Sequence, residues 1–359
     1  PNGQLIASAS GDGTIKLWSR EGELLHSLEG GSGWVYSVEF SPNGQLIASA
    51  SGDGTIKLWS REGELLHSLE GGSGWVYSVE FSPNGQLIAS ASGDGTIKLW
   101  SREGELLHSL EGGSGWVYSV EFSPNGQLIA SASGDGTIKL WNREGELLHT
   151  LKGHSYGVNG VEFSPDGQFL ASAGLDKTIK LWNREGELLH TLEGQGMITD
   201  MEISPDGQLL ASTASEDRTI KLWNREGKLL HTLRGHSNEV LDVVFSPDGH
   251  FIASGSDNGT IKLWNRDGKV LHTLRGHPNG VRGVRFSPNG QFIASGGDGT
   301  IKLWNRDGEL LHTLRGHSSW VENVEFSPDG HFIASAGLDP ETIKLSPIKL
   351  ETLHAWTCN

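Results

Sequence analysis

Apolar residues in this chain fall in short β-rich runs punctuated by glycine, and no long run carries the helical period. In the first 41 residues the runs are Gln4–Ser10, Thr14–Trp18, Glu23–Leu28 and Trp34–Phe40, the last alternating apolar and polar positions cleanly. Turn signals separate them: Pro1-Asn2-Gly3 before the first, Gly11-Asp12-Gly13 before the second, Arg20-Glu21-Gly22 before the third and Gly30-Gly31-Ser32-Gly33 before the fourth. The pattern predicts four strands with tight turns, one small antiparallel sheet per unit.

That unit recurs without a substitution at 42–82 and again at 83–123, and diverged copies fill the rest. A sheet of this size cannot bury both faces alone. It must stack on copies of itself, and closing the stack into a ring removes the exposed end sheets. One domain over 1–359 is expected, with units at 1–41, 42–82, 83–123, 124–164, 165–204, 205–246, 247–287, 288–327 and 328–359.

The stretches Gly316-His317 to Phe326-Ser327-Pro328-Asp329-Gly330 and Gly235-His236 to Phe245-Ser246-Pro247-Asp248-Gly249 carry the motifs of a known repeat. The unit resembles the WD40 repeat, the four-stranded blade of a β-propeller, over essentially the whole chain. Its near-identical units resemble the recently amplified WD40 arrays of bacteria, often the C-terminal sensing part of signal-transduction ATPases. One departure is uniform: Ser19, Ser60, Ser101, Asn142, Asn183, Asn224, Asn265 and Asn305 stand where the family has Asp after the strand Trp.

In family naming the strands run a to d from the centre outward. The chain starts at a b strand, so nine units hold only eight a strands of the Trp34–Phe40 type. Nine blades, the first without its own inner strand, are preferred; eight complete blades with Pro1–Glu29 left over also satisfy the count. At the far end, an ungapped alignment puts Glu351, Leu353 and His354 on a d strand and Ser346 in the place of the Trp. Identical units leave register ambiguous, which invites blade exchange between molecules, although a monomeric ring is expected.

Composition changes this picture little. The single Cys358 excludes an internal disulfide, and no apolar run approaches membrane-spanning length, so a cytoplasmic setting without membrane association is expected. Charge matters more. The total is −16, and each identical unit sets Lys16 and Arg20 against Asp12, Glu21, Glu23, Glu29 and Glu39, a net of −3. Such a surface repels nucleic acid and favours basic partners.

Ser, His and Asp coincide in several units, yet in the family these positions form a structural tetrad completed by Trp. His154, Ser172, Asp176 and Trp182 fill it, as do His277, Ser295, Asp298 and Trp304. Gly31, Gly72 and Gly113 replace the His in the identical units, Gln195 does so later, and Asn258 replaces an Asp, which predicts a softer first half. The fifteen His are spaced about a blade apart, too far to share a metal, and the glycine turns lack a phosphate loop's lysine. No catalytic residue, metal or cofactor is expected.

The family binds partners on the face bearing the d–a and b–c loops, through the first residues of strand a. By position these are Trp34 and Tyr36, Trp75 and Tyr77, Trp116 and Tyr118, then Gly157 and Asn159, Glu239 and Leu241, Gly280 and Arg282, and Trp320 and Glu322; around Met197 and Thr199 a loop one residue shorter leaves the alignment open. Of thirteen Trp, eight lie on c strands, one is Trp356, and Trp34, Trp75, Trp116 and Trp320 all fall here. Repeated aromatics are interface anchors; the alternative is that each packs on its neighbour and caps the ring. The expected function is a non-enzymatic scaffold or sensing module for a protein or peptide of basic character. The other reading is an amplified or engineered repeat without a dedicated ligand.

Overall fold

A computed structural model describes residues 5–19, 23–194, 196–216, 218–315, 317, 319–337 and, for the backbone, 343–347. The described residues form nine antiparallel sheets. The first unit folds as β1 (Leu5–Ala9), β2 (Thr14–Ser19) and β3 (Leu24–Glu29). The next sheet is β4 (Val35–Phe40), β5 (Leu46–Ser51), β6 (Thr55–Ser60) and β7 (Leu65–Glu70), in that order across the sheet. Six further four-stranded sheets follow, and the last has three described strands, Val321–Phe326, Phe332–Gly337 and Ile343–Pro347. Among the described residues, eight sheets thus own an inner strand and the first shows three strands without one.

Within a blade the register is fixed by burial. β4 pairs with β5 from Val35↔Ser51 to Phe40↔Ile47, and β6 with β7 from Thr55↔Glu70 to Trp59↔Leu65 across an irregularity at Leu58/Trp59. β5 is buried on both faces: Ile47, Ala48 and Ala50 are wholly shielded. Its alanines are small because each blade packs against two others. Ala48, Ala50, Ile56, Leu58 and Leu69 of one sheet meet Val76, Val79, Phe81, Ile88 and Trp100 of the next, and the arrangement recurs from blade to blade. Side chains fully removed from water on both faces of every central strand supply the main stabilisation.

Ser346 sits opposite Ile333, the register that Trp304 holds opposite Ile293 in the preceding blade. Glu351, Leu353, His354, Trp356 and Cys358 lie outside the described residues. The ends of the array come together: Leu5, Ile6 and Ala7 of β1, Phe40 of β4, and Ala334 and Ala336 near the far end line one cavity of about 400 Å³.

Candidate functional site: the loop-bearing face

Strand a begins beside the b–c turn of its own blade. The amide of Gly52 donates to the carbonyl of Trp34 at 2.7 Å, and Gly93 and Gly134 do the same to Trp75 and Trp116. These bonds fix each Trp at the mouth of the ring. Ser215 donates to Met197 in the same way, and Ile198 pairs with Ala214, so Met197 holds the Trp position despite the shorter loop.

Six rings then form one continuous ladder. Trp34 lies 6.2 Å from Tyr36; Tyr36 lies 6.0 Å from Trp75 and 5.5 Å from Tyr77; Tyr77 lies 6.2 Å from Trp116 and 5.7 Å from Tyr118. These are the separations of tilted and edge-to-face aromatic pairs. The tyrosines are the links between blades. Burial pushes the Tyr77 hydroxyl up, with the neighbouring Tyr118 and Tyr36 adding to it. The indoles stay open to solvent, at 63% for Trp34, 51% for Trp75 and 53% for Trp116. Arg282 and Trp320 form a separate pair, the guanidinium 5.0 Å from the ring centroid and 3.2 Å from Glu322.

Beside the ladder runs a row of turn carboxylates. Asp53 accepts from the Ser32 amide at 2.6 Å and from the Thr55 amide and hydroxyl at 3.0 and 2.7 Å. Burial works against the charge, but the Thr55 and Ser32 bonds win and hold Asp53 at about 2; Asp94 and Asp135 sit at the same value for the same reasons. The face is therefore aromatic and anionic together.

The Ser-His-Asp sets lie deeper. His154 Nε2 is 2.8 Å from Ser172 Oγ, its Nδ1 is 3.0 Å from Asp176, and Trp182 Nε1 donates to the same Ser172 Oγ at 2.9 Å. His277 repeats this with Ser295 at 2.8 Å, Asp298 at 2.6 Å and Trp304 donating at 3.0 Å. Both imidazoles are pushed down by burial, against the pull of their Asp partners. A serine hydroxyl shared between imidazole and indole, inside a blade, has no approach for a substrate. In the unit with Asn258, His236 keeps Ser254 at 2.8 Å but faces Thr260 rather than a carboxylate, and burial, helped by Lys262, lowers it to about 4. Where Gly72 replaces the His, the space is already used: a Cβ there would collide with Ser92 Oγ and lie 2.8 Å from Asp94. Beside His154 the Ser92 position is held by Gly174, on which a Cβ would collide with the imidazole, whereas His236 shares its blade with Ser256 at that position, whose hydroxyl donates to the Asn238 carbonyl at 3.2 Å.

Two groups of residues were not singled out by sequence. Tyr156, 68% exposed, and the exposed Leu175 extend the apolar surface past the ladder, and an aromatic immediately before the Trp position was the available signal for Tyr156. The other is a set of inner carboxylates. Glu39 accepts from the Phe81 amide at 3.0 Å, Glu80 from Phe122 at 3.1 Å, Glu121 from Phe163 at 3.1 Å, Glu162 from Ile203 at 3.2 Å and Glu202 from Phe245 at 2.6 Å. Burial raises Glu39 and Glu162 to about 7, Glu121 and Glu202 to about 8, and Glu80, which also faces Glu121 and Glu39, to about 9. Among the described residues no group of His, Cys, Asp and Glu is placed to hold a metal, and no helix is long and apolar enough to cross a membrane.

Nine sheets built from four-strand units, with their inner strands turned to a common centre, define a β-propeller. The WD domain, G-beta repeat family matches at residues 1–19, 22–60, 63–101, 104–142, 268–305 and 308–340, and the chain belongs to the WD40 repeat family. Residues 135–265 match the first beta-propeller of IFT122. No curated protein matches significantly along its sequence. Among solved structures, the crystal structure of the computationally designed Ika8 protein is 33% identical, with a TM-score of 0.73 over 90% of this chain and 99% of that one. WD40 propellers generally serve as protein-interaction scaffolds and are generally not enzymes. So many solved chains share the architecture, 1831 of them, that the fold by itself names no ligand.

Proposed function

We propose that this chain is a non-enzymatic interaction module whose loop-bearing face takes a basic peptide or protein segment across the ladder from Trp34 to Tyr118. The observation that carries this reading is the ladder itself: six contiguous rings, with the three indoles half-open to solvent beside Asp53, Asp94 and Asp135. Exposed indoles next to fixed carboxylates attract Lys and Arg by both cation–π contact and charge. Arg282 over Trp320 shows the same contact made within the chain.

A capping role has one observation in its favour. A Cβ on Gly11 would lie 3.7 Å from the Trp34 ring, so that indole rests on the preceding sheet. One experiment separates the two. A fluorescein-labelled Arg- and Lys-rich decapeptide is titrated into wild type and into the Trp75→Ala, Trp116→Ala double variant, with a Glu-rich peptide as control. Interaction predicts salt-sensitive binding of the basic peptide, at least tenfold weaker in the variant, with the melting temperature shifted by less than about 2 °C. Loss of folding in step with loss of binding favours capping and sinks the proposal, as does equal affinity for the acidic peptide.

A further inference from the structure

Identical units in neighbouring blades build the same receptor twice on the loop-bearing face. Trp75 is held between two tyrosine rings, Tyr36 at 6.0 Å and an interplanar angle of 36°, and Tyr77 at 6.1 Å and 83°. One blade on, Trp116 is held between Tyr77 at 6.2 Å and 45° and Tyr118 at 6.1 Å and 87°. The two settings agree within 0.2 Å and 9°, and both indoles stay about half exposed. Each indole is thus fixed in one pose by a ring on either side, and Tyr77 serves both. Trp34 differs: among the described residues Tyr36 alone is its aromatic neighbour, and its indole is the most open of the three.

Every indole carries its own carboxylate. The Gly93 amide donates to the Trp75 carbonyl, and the next residue, Asp94, accepts from the Ser73 amide at 2.7 Å and from the Thr96 hydroxyl at 2.6 Å. Beside Trp116, Asp135 accepts from the Ser114 amide at 2.7 Å and from the Thr137 hydroxyl at 2.7 Å. The carboxylates are therefore tied to the loops that bear the indoles. The duplication ends at the next blade, where Gly157 and Asn159 take the Trp and Tyr positions.

Spacing follows from the rings themselves. Equivalent tyrosines recur from blade to blade at 5.5 Å between Tyr36 and Tyr77 and 5.7 Å between Tyr77 and Tyr118. In an extended segment, side chains two residues apart share a face at about 6.7 Å, within about 1 Å of that pitch, whereas adjacent side chains point to opposite faces. The flexible stem of Arg or Lys absorbs so small a difference.

We propose that Trp75 and Trp116 are two equivalent cation-accepting subsites sharing Tyr77, and that their occupant is one extended partner segment with Arg or Lys at every second position, one cation on each indole. The proposal rests on the basic-partner reading above and adds the valency and spacing of that partner. Two weak contacts made by one segment reinforce each other, because the first holds the second cation close to its indole.

The test is fluorine NMR of the full chain labelled with 5-fluorotryptophan, the two resonances being assigned with Trp75→Phe and Trp116→Phe. The probes are the terminally blocked peptides Thr-Thr-Arg-Thr-Thr, Thr-Arg-Thr-Arg-Thr and Thr-Arg-Arg-Thr-Thr. The single-Arg peptide should shift both resonances with one midpoint, and the alternating peptide should bind at least fivefold more tightly than the adjacent-Arg peptide of equal charge. Tyr77→Leu should weaken the response of both indoles to the single-Arg peptide, and Tyr118→Leu that of Trp116 alone, with circular dichroism checking the fold of each variant. Equal affinity for the alternating and adjacent peptides, a response confined to one of the two resonances, or an undiminished response in folded Tyr77→Leu would each overturn this proposal while leaving the interaction module standing. No shift of either resonance with any of the three peptides would overturn both.

Discussion

Gly104 has φ of +81°, and a Cβ on it would lie 2.8 Å from Cγ of His67 on the outer strand of the preceding blade. Gly63 stands in the same relation to His26. The repeated outer-strand histidines are thus packing residues set on the next blade's turn, which accounts for their spacing better than any ligand does. Gly104→Ala is expected to destabilise by about 1–3 kcal/mol, through left-handed strain and overpacking at once, as read from urea unfolding. The His-for-Gly exchange makes a sharper case. Gly72→His alone should lower the melting temperature by several degrees, because Ser92 occupies the space. Gly72→His with Ser92→Gly should recover it, since that pair is the combination His154 and Gly174 already use; failure of the double variant to exceed the single one would refute the clash with Ser92. The uniform departure after the strand Trp also finds its purpose here: Asn142 accepts the Glu146 amide at 2.8 Å, and Ser60 accepts the Glu64 amide at 3.3 Å, capping the c–d turn.

Outer strands differ from the others in being exposed along most of their length. Leu65, Leu66, Leu106 and Leu107 face solvent on successive blades, while Leu69 and Leu110 turn inward. The alternation that marks a half-buried strand is therefore absent from these runs. Since so little area is shielded, Leu65→Thr with Leu66→Thr should change stability by less than about 0.5 kcal/mol while reducing self-association at high concentration, measured by light scattering. A large loss of stability would mean that the outer strands carry more packing than their exposure allows. The tetrad blades tie their c strand more closely than the blades with Gly31, Gly72 and Gly113 in the His position do: Trp182 and Trp304 donate to their serines at 2.9 and 3.0 Å, against 3.2 Å for Trp59 and Trp100 and 3.5 Å for Trp141.

At the scale of the ring, the inner carboxylates make stability depend on pH in an unusual direction. Glu39, Glu80, Glu121, Glu162 and Glu202 are raised in the folded chain to values from about 7 to about 9, while unfolded Glu titrates near 4.5. Between those limits the folded state holds more protons, so stability falls as pH rises. The turn carboxylates act oppositely. Asp53, Asp94 and Asp135, at about 2, contribute stability that is complete above the unfolded value of 3.8 and is lost as pH falls toward 2. The melting temperature should therefore peak near pH 5 and decline by several degrees by pH 9. Glu80→Gln, which keeps an acceptor for the Phe122 amide without the charge, should flatten that decline; a curve that rises from pH 5 to pH 9 would contradict the assignment.

Much of this was legible in the residues. Period-two runs, glycine turns and an unbroken repeat specify strands, sheets and stacking, because those follow from local backbone preference and from the area a small sheet must hide. The placement of Trp34, Trp75 and Trp116 on one face also follows, since identical units in a ring put identical positions on the same side. What sequence could not specify is any property that distinguishes identical units. Ile6 and Ile47 sit in the same local sequence, yet one is wholly buried and the other is not, because burial depends on which sheet lies across the gap. The joining of the aromatics into a ladder through Tyr36 and Tyr77 and the raised Glu row share that origin: each is a relation between neighbouring blades, and the tertiary structure alone decides which blades are neighbours.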